Sequence, residues 1–591
     1  MKQFTKFLFA SCLGTFLALL GIGVVGFGLL GSAMKSATQK DGVKGNTILT
    51  ITLNESIPER TNNQPVSFAE LSIEENTGLI DMIRAIERAK EDDNIKGIYM
   101  TSSAPSLNFA SLAAVRKALI SFKESGKFIV AFGDYYSETG YYLSSVADEI
   151  FLNPIGGVEF NGLIAQVPFF KNMLDKVGVK YEVFYAGKFK SATEPYRLAN
   201  MSDENRTQIR EFINEIYQNY IRDLSESRGI SVAELNNISN NMLVRNAEDA
   251  LKYKLVDQTI YKDQVINDLK ERLGLDEKED ISSIGLADYT QRTRPKNGYK
   301  KGGKNKIAVI YAEGTILDGS DQAGTIDGDV YSKLIRKIRR DKNVKAIVLR
   351  VNSGGGSALA SEKIWREFTL AKEADIPIVV SMGDYAASGG YYIACMADSI
   401  LAEANTLTGS IGVFSMFPNA QKLMNEKMGI NFDTVKTGNF SLGVSPFVEL
   451  SPQEKQIIQT STEEFYDTFL KRVAVGRKMT KEDVNEVAQG RIWTGSRAKE
   501  LGLVDKIGGL DDAIAIAKGM AGLDNYRLSE YPETKEPVQQ LLEQFTGKKS
   551  VSHRAAIKKE LGDLYPYYEY MSDLKKLQGV QARMPFDIEI K

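Results

Sequence analysis

Two pairs of short stretches carry the residue types that could do chemistry. Residues 133–143 read GDYYSETGYYL and residues 383–393 read GDYAASGGYYI, six identities in eleven positions at a spacing of 250. The second copy holds Ser388 where the first holds Glu138. Another pair sets GKFKSATEPY (Gly187 to Tyr196) against GNFSLGVSPF (Gly438 to Phe447), and there the first copy holds Lys190 where the second holds Ser441. A serine hydroxyl becomes a strong nucleophile when a base takes its proton, and a lysine can be that base once burial lowers its pKa enough to leave a neutral amine. One repeat keeps a candidate nucleophile and the other a candidate base, which predicts one composite site per chain.

Other chemistries are narrowed by what the chain lacks. Its one histidine, His553, lies in an unrepeated tail, which argues against a Ser-His-Asp triad and against a multi-histidine metal centre. No metal or nucleotide cofactor is called for. A formal charge of −2 offers no basic field for nucleic acid. The two cysteines, Cys12 and Cys395, sit too far apart in sequence to read as a disulfide framework, and Cys395 reads as a small buried hydrophobe.

Three further motifs would complete a site. The run Asn352-Ser353-Gly354-Gly355-Gly356-Ser357 follows an apolar stretch, and glycines there let backbone amides face a ligand as an oxyanion hole requires. The first repeat has Ser103-Ala104-Pro105-Ser106-Leu107 in that place, without the glycines. Ser388 stands at an expected strand-to-helix turn, where the partial positive charge of a helix start favours a developing anion. Thr408-Gly409-Ser410-Ile411-Gly412 adds a hydroxyl that could orient the lysine. Each feature alone has a plainer reading, a cap, a turn or a solvated lysine. Their complementary loss between the repeats is what independent caps and turns do not explain.

The elements that must position these residues follow from the wider repeat. NTILTITLNESI from Asn46 matches NKIAVIYAEGTI from Asn305, NIKGIYM from Asn94 matches NVKAIVL from Asn343, and ALKYKLVDQ from Ala250 matches AKELGLVDK from Ala498. A period this long means duplicated domains. Apolar runs at Ile48–Leu53, Ile95–Met100, Phe128–Phe132, Ile307–Tyr311, Ala346–Val351 and Ile378–Ser381 alternate with amphipathic segments such as Leu79–Lys90 and Ser361–Lys372, the pattern of a parallel α/β sheet. The expected organisation is an anchor over 1–45, a first repeat over 46–290, a linker over 291–304, a second repeat over 305–535 and a tail over 536–591. From Phe7 to Leu30 no residue is charged, and 24 residues at 1.5 Å rise suffice to cross about 30 Å of hydrocarbon. This segment predicts a transmembrane helix with a short cytoplasmic N-terminus and the bulk of the chain exported.

Taken together, the Asn352-Ser353 glycine run, GDYAASGGYY, TGSIGV and FKSATEPY resemble the signal peptide peptidase A (protease IV) family in its long duplicated bacterial form, across essentially the whole chain. The resemblance implies two tandem repeats of the Clp protease/crotonase-like fold and a membrane-bound serine endopeptidase with a Ser/Lys dyad. It makes Ser388 the nucleophile, Lys190 the general base, Ser410 the hydroxyl holding the lysine amine, and the Gly355 and Gly389 amides the oxyanion hole. It also implies cleaved signal peptides among the substrates, lipid contact through the N-terminal helix, a homotetramer, and residence in the bacterial inner membrane with the catalytic domains on the extracytoplasmic side. Where that family has proline before the glycine pair, this chain has Gly354. A crotonase-like acyl-CoA enzyme or an inactive membrane scaffold are the alternatives, though neither accounts for a serine and a lysine kept on opposite repeats.

Overall fold

A computed structural model describes residues 42–54, 57–63, 75–295, 303–319, 324–533 and 579–584, together with Phe7 and Gly14. The first repeat contains β1 (Thr47–Ile51), β2 (Ile95–Met100), β3 (Phe128–Tyr136), α1 (Glu138–Ser144), β4 (Glu149–Val158), β5 (Lys180–Ala186), α2 (Asp203–Arg228), β6 (Gln258–Thr259) and β7 (Ser282–Gly285). Its sheet runs in the order β6-β4-β3-β2-β1-β7, with every neighbouring pair parallel. The second repeat supplies β8 (Lys306–Glu313), β9 (Thr315–Leu317), β10 (Thr325–Asp327), β11 (Val344–Ser353), β12 (Gly355–Ser357), α3 (Ala358–Glu373), β13 (Ile378–Ala387), α4 (Gly389–Ala394), β14 (Ser399–Ala402), β15 (Leu407–Gly409), β16 (Val413–Asn419), α5 (Pro452–Arg477), β17 (Ile492–Thr494) and β18 (Arg527–Tyr531). Its main sheet runs β17-β15-β13-β11-β8-β18, with β14 also paired to β13. Only the β15–β17 pair among these is antiparallel.

The strands are apolar almost without a break because both faces of each sheet are covered. Along β8 and β11, Ala308, Ile310, Ile347 and Leu349 point into one core, while Ile307, Val309, Ala346 and Val348 point into another. The first repeat divides in the same way, with Leu49, Ile129 and Ala131 on one side and Ile48, Val130 and Phe132 on the other. Period-two alternation is therefore present in space but invisible in composition. The predicted strands Phe128–Phe132 and Ile378–Ser381 run on to Tyr136 and Ala387, through the GDY corner that recurs in each repeat. Asp384 there is polar yet buried, so a hydrophobicity reading stops short of it.

A third sheet joins the repeats, and it is the element that makes the site. Its order is β10-β9-β12-β19-β16-β5, where β19 is Gln581–Arg583 from the tail. β5 of the first repeat lies antiparallel to β16 of the second, in register from Val413↔Ala186 to Asn419↔Lys180. Buried charge locks the halves further: Glu59 accepts from Arg350 Nε at 2.9 Å and Nη2 at 3.1 Å, and Asp384 accepts from the Ser111 amide and hydroxyl at 2.9 and 2.6 Å. The guanidinium and carboxylates are almost fully removed from water, where a lost partner would leave an uncompensated charge. Among the described residues no helix is long and apolar enough to cross a membrane, and the candidate anchor Phe7–Leu30 lies outside them except for Phe7 and Gly14.

Candidate active site

The register of β5 against β16 fixes where the lysine goes. Val413 pairs with Ala186, so the four residues after Ala186 reach Lys190 while the residues just before Val413 are Ser410 to Gly412. Lys190 Nζ stands 2.8 Å from Ser388 Oγ, 3.0 Å from Ser410 Oγ and 3.0 Å from the Ser410 carbonyl oxygen. Ser388 Oγ has a weaker contact, 3.4 Å, with the Gly412 carbonyl. All three side chains are buried, Lys190 at 1% exposure and both serines at 0%. Burial pushes the Lys190 ammonium well below its ordinary pKa, and among the described residues no carboxylate offsets the loss of water.

The hydrogen-bond inventory then assigns the protons. A neutral amine has two N–H donors and one lone pair. The Ser410 carbonyl can only accept, and the Ser410 hydroxyl can accept the second N–H. The lone pair is left facing the hydroxyl of Ser388, which is the arrangement a base needs.

Backbone geometry around these groups is unusual in the same places. Ser388 follows β13 directly, with φ 55° and ψ −114°, and Ser410 has φ 50°. Non-glycine residues seldom hold positive φ, and such strain persists only where the surroundings over-determine it. Ser388 is over-determined by its amide bonding to the Gly409 carbonyl at 2.8 Å, and Ser410 by its amide bonding to the Arg491 carbonyl at 2.7 Å. Tyr392 N bonds back to the Ser388 carbonyl at 2.8 Å, starting α4 directly after the serine.

The lysine is backed by a segment the sequence did not point to. The Phe189 amide donates to the Gln489 carbonyl at 2.8 Å, and the Gly490 amide to the Ile411 carbonyl at 2.8 Å. Gly490 has φ 76°, and a β-carbon there would lie 2.7 Å from the Lys190 β-carbon and backbone nitrogen. Gln208, buried on α2, donates to the Phe189 carbonyl at 3.1 Å and to Ser191 Oγ at 2.9 Å, while its oxygen accepts from the Ile492 amide at 3.3 Å. These three residues bridge the lysine loop to the second repeat. No signal in the chain could have singled out Gln208, since a buried glutamine on a helix is recognisable only from what it touches.

The two glycines expected to hold an oxyanion are brought together. A β-carbon on Gly355 (φ 97°) would fall 2.6 Å from the Gly389 nitrogen, and one on Gly389 would fall 3.1 Å from the Gly355 α-carbon. The Gly355 amide donates to Ser353 Oγ at 3.1 Å, so serving an anion requires it to exchange or share that acceptor. Ser353 Oγ in turn donates to the Gly314 carbonyl at 2.6 Å.

The corresponding places in the other repeat are built differently. Glu138 is buried, and its Oε1 accepts from the Asn161 and Gly162 amides at 2.7 and 2.6 Å. Burial raises its carboxyl to about 7, with the two amides pulling the other way. Ser441, the counterpart of Lys190, lies in an exposed turn and donates to the Gly438 carbonyl at 2.5 Å. Cys395 is a free, buried thiol, as expected.

A duplicated α/β chain whose buried serine faces a desolvated lysine and a pair of close-set glycines has the parts of a serine peptidase. The sequence profile of peptidase family S49 matches residues 121–276 and 370–524. Protease 4 of Salmonella typhi is 38% identical over 484 residues, which is 80% of this chain and 77% of that protein. Protease 4 of Haemophilus influenzae is 38% identical over 456 residues, 73% of this chain and 71% of that one. The chloroplastic serine protease SPPA of Arabidopsis thaliana is 33% identical over 557 residues, 92% and 78% respectively. The chain belongs to peptidase family S49 and has its long duplicated form, one family match falling in each repeat.

Proposed function

We propose that this serine peptidase is a Ser/Lys-dyad endopeptidase held at a bacterial membrane, where it degrades cleaved signal peptides and other exported peptides. The observation that carries the dyad is the 2.8 Å approach of Lys190 Nζ to Ser388 Oγ in a buried site where desolvation lowers the amine's pKa. Neutral Lys190 accepts the Ser388 proton as Oγ attacks a peptide carbonyl. The Gly389 amide, with the Gly355 amide once it leaves Ser353, holds the tetrahedral oxyanion. Lys190 returns the proton to the departing amine, then takes one from the water that hydrolyses the ester. Ser410 keeps both N–H bonds of the amine engaged, so the lone pair stays aimed at the reacting oxygen.

Membrane attachment rests on the uncharged run from Phe7 to Leu30, and the Clp protease/crotonase-like reading of the two repeats, the tetramer and the extracytoplasmic placement rest on the family resemblance. Signal peptides suit such an enzyme because they are apolar and remain in the bilayer after export. Labelling of the detergent-solubilised protein with a fluorophosphonate tests the dyad. Ser388 is expected to be modified in the wild type and unmodified in both Ser388→Ala and Lys190→Ala. Labelling that survives Lys190→Ala would remove the lysine from the mechanism.

A further inference from the structure

Helix α2 lies across the join between the repeats, and one of its side chains bonds to both. Gln208 is 1% exposed. Its Nε2 donates to the Phe189 carbonyl at 3.1 Å and to Ser191 Oγ at 2.9 Å, the residues on either side of Lys190. Its Oε1 accepts from the Ile492 amide at 3.3 Å. Ile492 opens β17, where it pairs with Gly409 of β15. The Gly409 carbonyl accepts from the Ser388 amide, and Arg491, the residue before Ile492, offers the carbonyl that accepts from the Ser410 amide. One carboxamide therefore spans from the loop of the base to the strand pair that holds the nucleophile and the orienting hydroxyl.

The carboxamide has one sense only. Reversed, it would set its NH2 against the Ile492 N–H and its oxygen against the Phe189 carbonyl, two like pairs in a place shut off from water. Its sense is also fixed from further back. Buried Glu194 accepts from Asn205 Nδ2 at 2.9 Å and from the Ser202 amide and hydroxyl at 3.2 and 2.5 Å. Asn205 Oδ1 is thereby turned to Gln208, whose Nε2 shares its N–H groups with it at 3.1 Å. Polarity passes from a buried carboxylate through two side-chain amides to the loop that carries the lysine. Burying an amide is costly unless its partners are all in place, so Gln208 is no simple gap-filler. Helix α5 of the second repeat has the same length as α2 and starts from Ser451 as α2 starts from Ser202, yet the place of Gln208, counted from the caps, falls there on the exposed Ile457.

We propose that Gln208 is a positioning residue for the dyad: by tying both neighbours of Lys190 to the Ile492 amide, it sets the approach of the amine to Ser388 Oγ. The proposal rests on the Ser388/Lys190 reading given above. Gln208 touches no reacting atom and moves no proton. Without it the lysine loop hangs from the bond between the Phe189 amide and the Gln489 carbonyl, and the amine swings out of line with the hydroxyl and gains water.

Steady-state kinetics of the full chain in detergent, on a casein-derived peptide, test this with Gln208→Met and Gln208→Glu, each checked by thermal melting. Methionine keeps the length of the side chain and removes every bond; glutamate keeps the acceptor for Ile492, loses the donors to the loop, and carries the test if the methionine variant does not fold. Both variants are expected to lose about a hundredfold in kcat, with KM within about twofold of wild type, as a misplacement of about 1 Å does. The acid limb of the pH–kcat profile is expected to move up by about one pH unit, because a lysine that regains water holds its proton to higher pH. Glu211→Gln is the comparison, since Glu211 also ties α2 to the second repeat, through the Arg491 side chain at the surface. A folded variant with kcat within about threefold of wild type overturns the proposal. So does a fall in kcat with an unmoved acid limb, or an equal fall in Glu211→Gln, because either marks a general loosening of the join. Fluorophosphonate labelling of wild type and Lys190→Ala is read alongside. Labelling that needs Lys190, beside Gln208 variants that behave as wild type, overturns Gln208 alone; labelling indifferent to Lys190→Ala defeats the dyad reading and this one with it.

Discussion

The corner at Gly133–Leu143 and the corner at Gly383–Ile393 share their strand, their helix start and six residues, yet they end in opposite chemistry. In the first, Ser137 is an ordinary N-cap with φ −68°, its hydroxyl accepting from the Gly140 amide at 3.1 Å, and Glu138 begins the helix. In the second, Ala387 replaces the cap and Ser388 takes the capping position with φ 55°, its side chain making no cap bond. One corner satisfies its helix and closes its site with a carboxylate held by two amides. The other leaves a hydroxyl free for a lysine delivered from the first repeat. Duplication allowed each copy to keep one half of a pair, because the shared third sheet holds the halves in one register.

Removing the lysine is the largest test of that difference. Lys190→Ala is expected to lower kcat by about a thousandfold or more, since loss of one member of a concerted pair costs nearly as much as loss of the pair. The wild-type profile carries the sign: the base works only when deprotonated, so activity falls as pH drops through the lowered pKa of Lys190 and is full above it. A pH-rate profile that stays flat from mildly acidic to alkaline conditions would exclude a lysine base.

A smaller effect is expected from Gly490→Ala. The new methyl collides with the Lys190 backbone at 2.7 Å and sits on a positive φ that L-residues avoid, so the lysine loop has to move. A displacement of about 1 Å is enough to cost roughly a hundredfold in kcat. Unchanged KM with reduced kcat on a casein-derived peptide would localise the damage to the dyad; unchanged kcat would show that the loop tolerates the shift.

The mildest change belongs to the other corner. The Glu138 carboxyl is raised from 4.5 to about 7, so the folded state prefers it protonated. Its full contribution to stability is present below pH 4.5, is lost as pH rises toward 7, and is gone above that, at a cost approaching roughly 3 kcal/mol. Glu138→Gln keeps the oxygen that accepts from Asn161 and Gly162 and removes the ionisation. The variant is expected to have unchanged peptidase activity and a melting temperature that exceeds the wild type only above about pH 5, the gap widening to pH 7. Loss of activity in Glu138→Gln would mean that the first corner contributes to catalysis after all.

Much of the site was legible before any fold was known. Ser388 and Lys190 stood out because each occupies a repeat position where its counterpart has changed type, and the absence of a usable histidine made lysine the candidate base. The Ser353 hydroxyl on the Gly355 amide, the Gln489–Arg491 backing of Lys190 and the bridging Gln208 were not legible. Each acts through a main-chain bond to a residue far away in sequence, and main-chain bonds leave no trace in residue type. The tail was read as lacking a counterpart, and the place of its Gln581–Arg583 beside Gly355–Ser357 depends on pairing across more than two hundred residues.

The chain by itself determined the duplication and the parallel α/β class and singled out Ser388 and Lys190 as the candidate pair, because unbroken apolar runs and asymmetric repeats are written in residue type and spacing. Only the tertiary structure decided that the two groups meet at 2.8 Å, that the amine is stripped of water, and that Ala582 lies against the glycines. Proximity across the repeats comes from the register of β5 on β16, and desolvation comes from everything packed around Lys190; neither is a property of any local stretch.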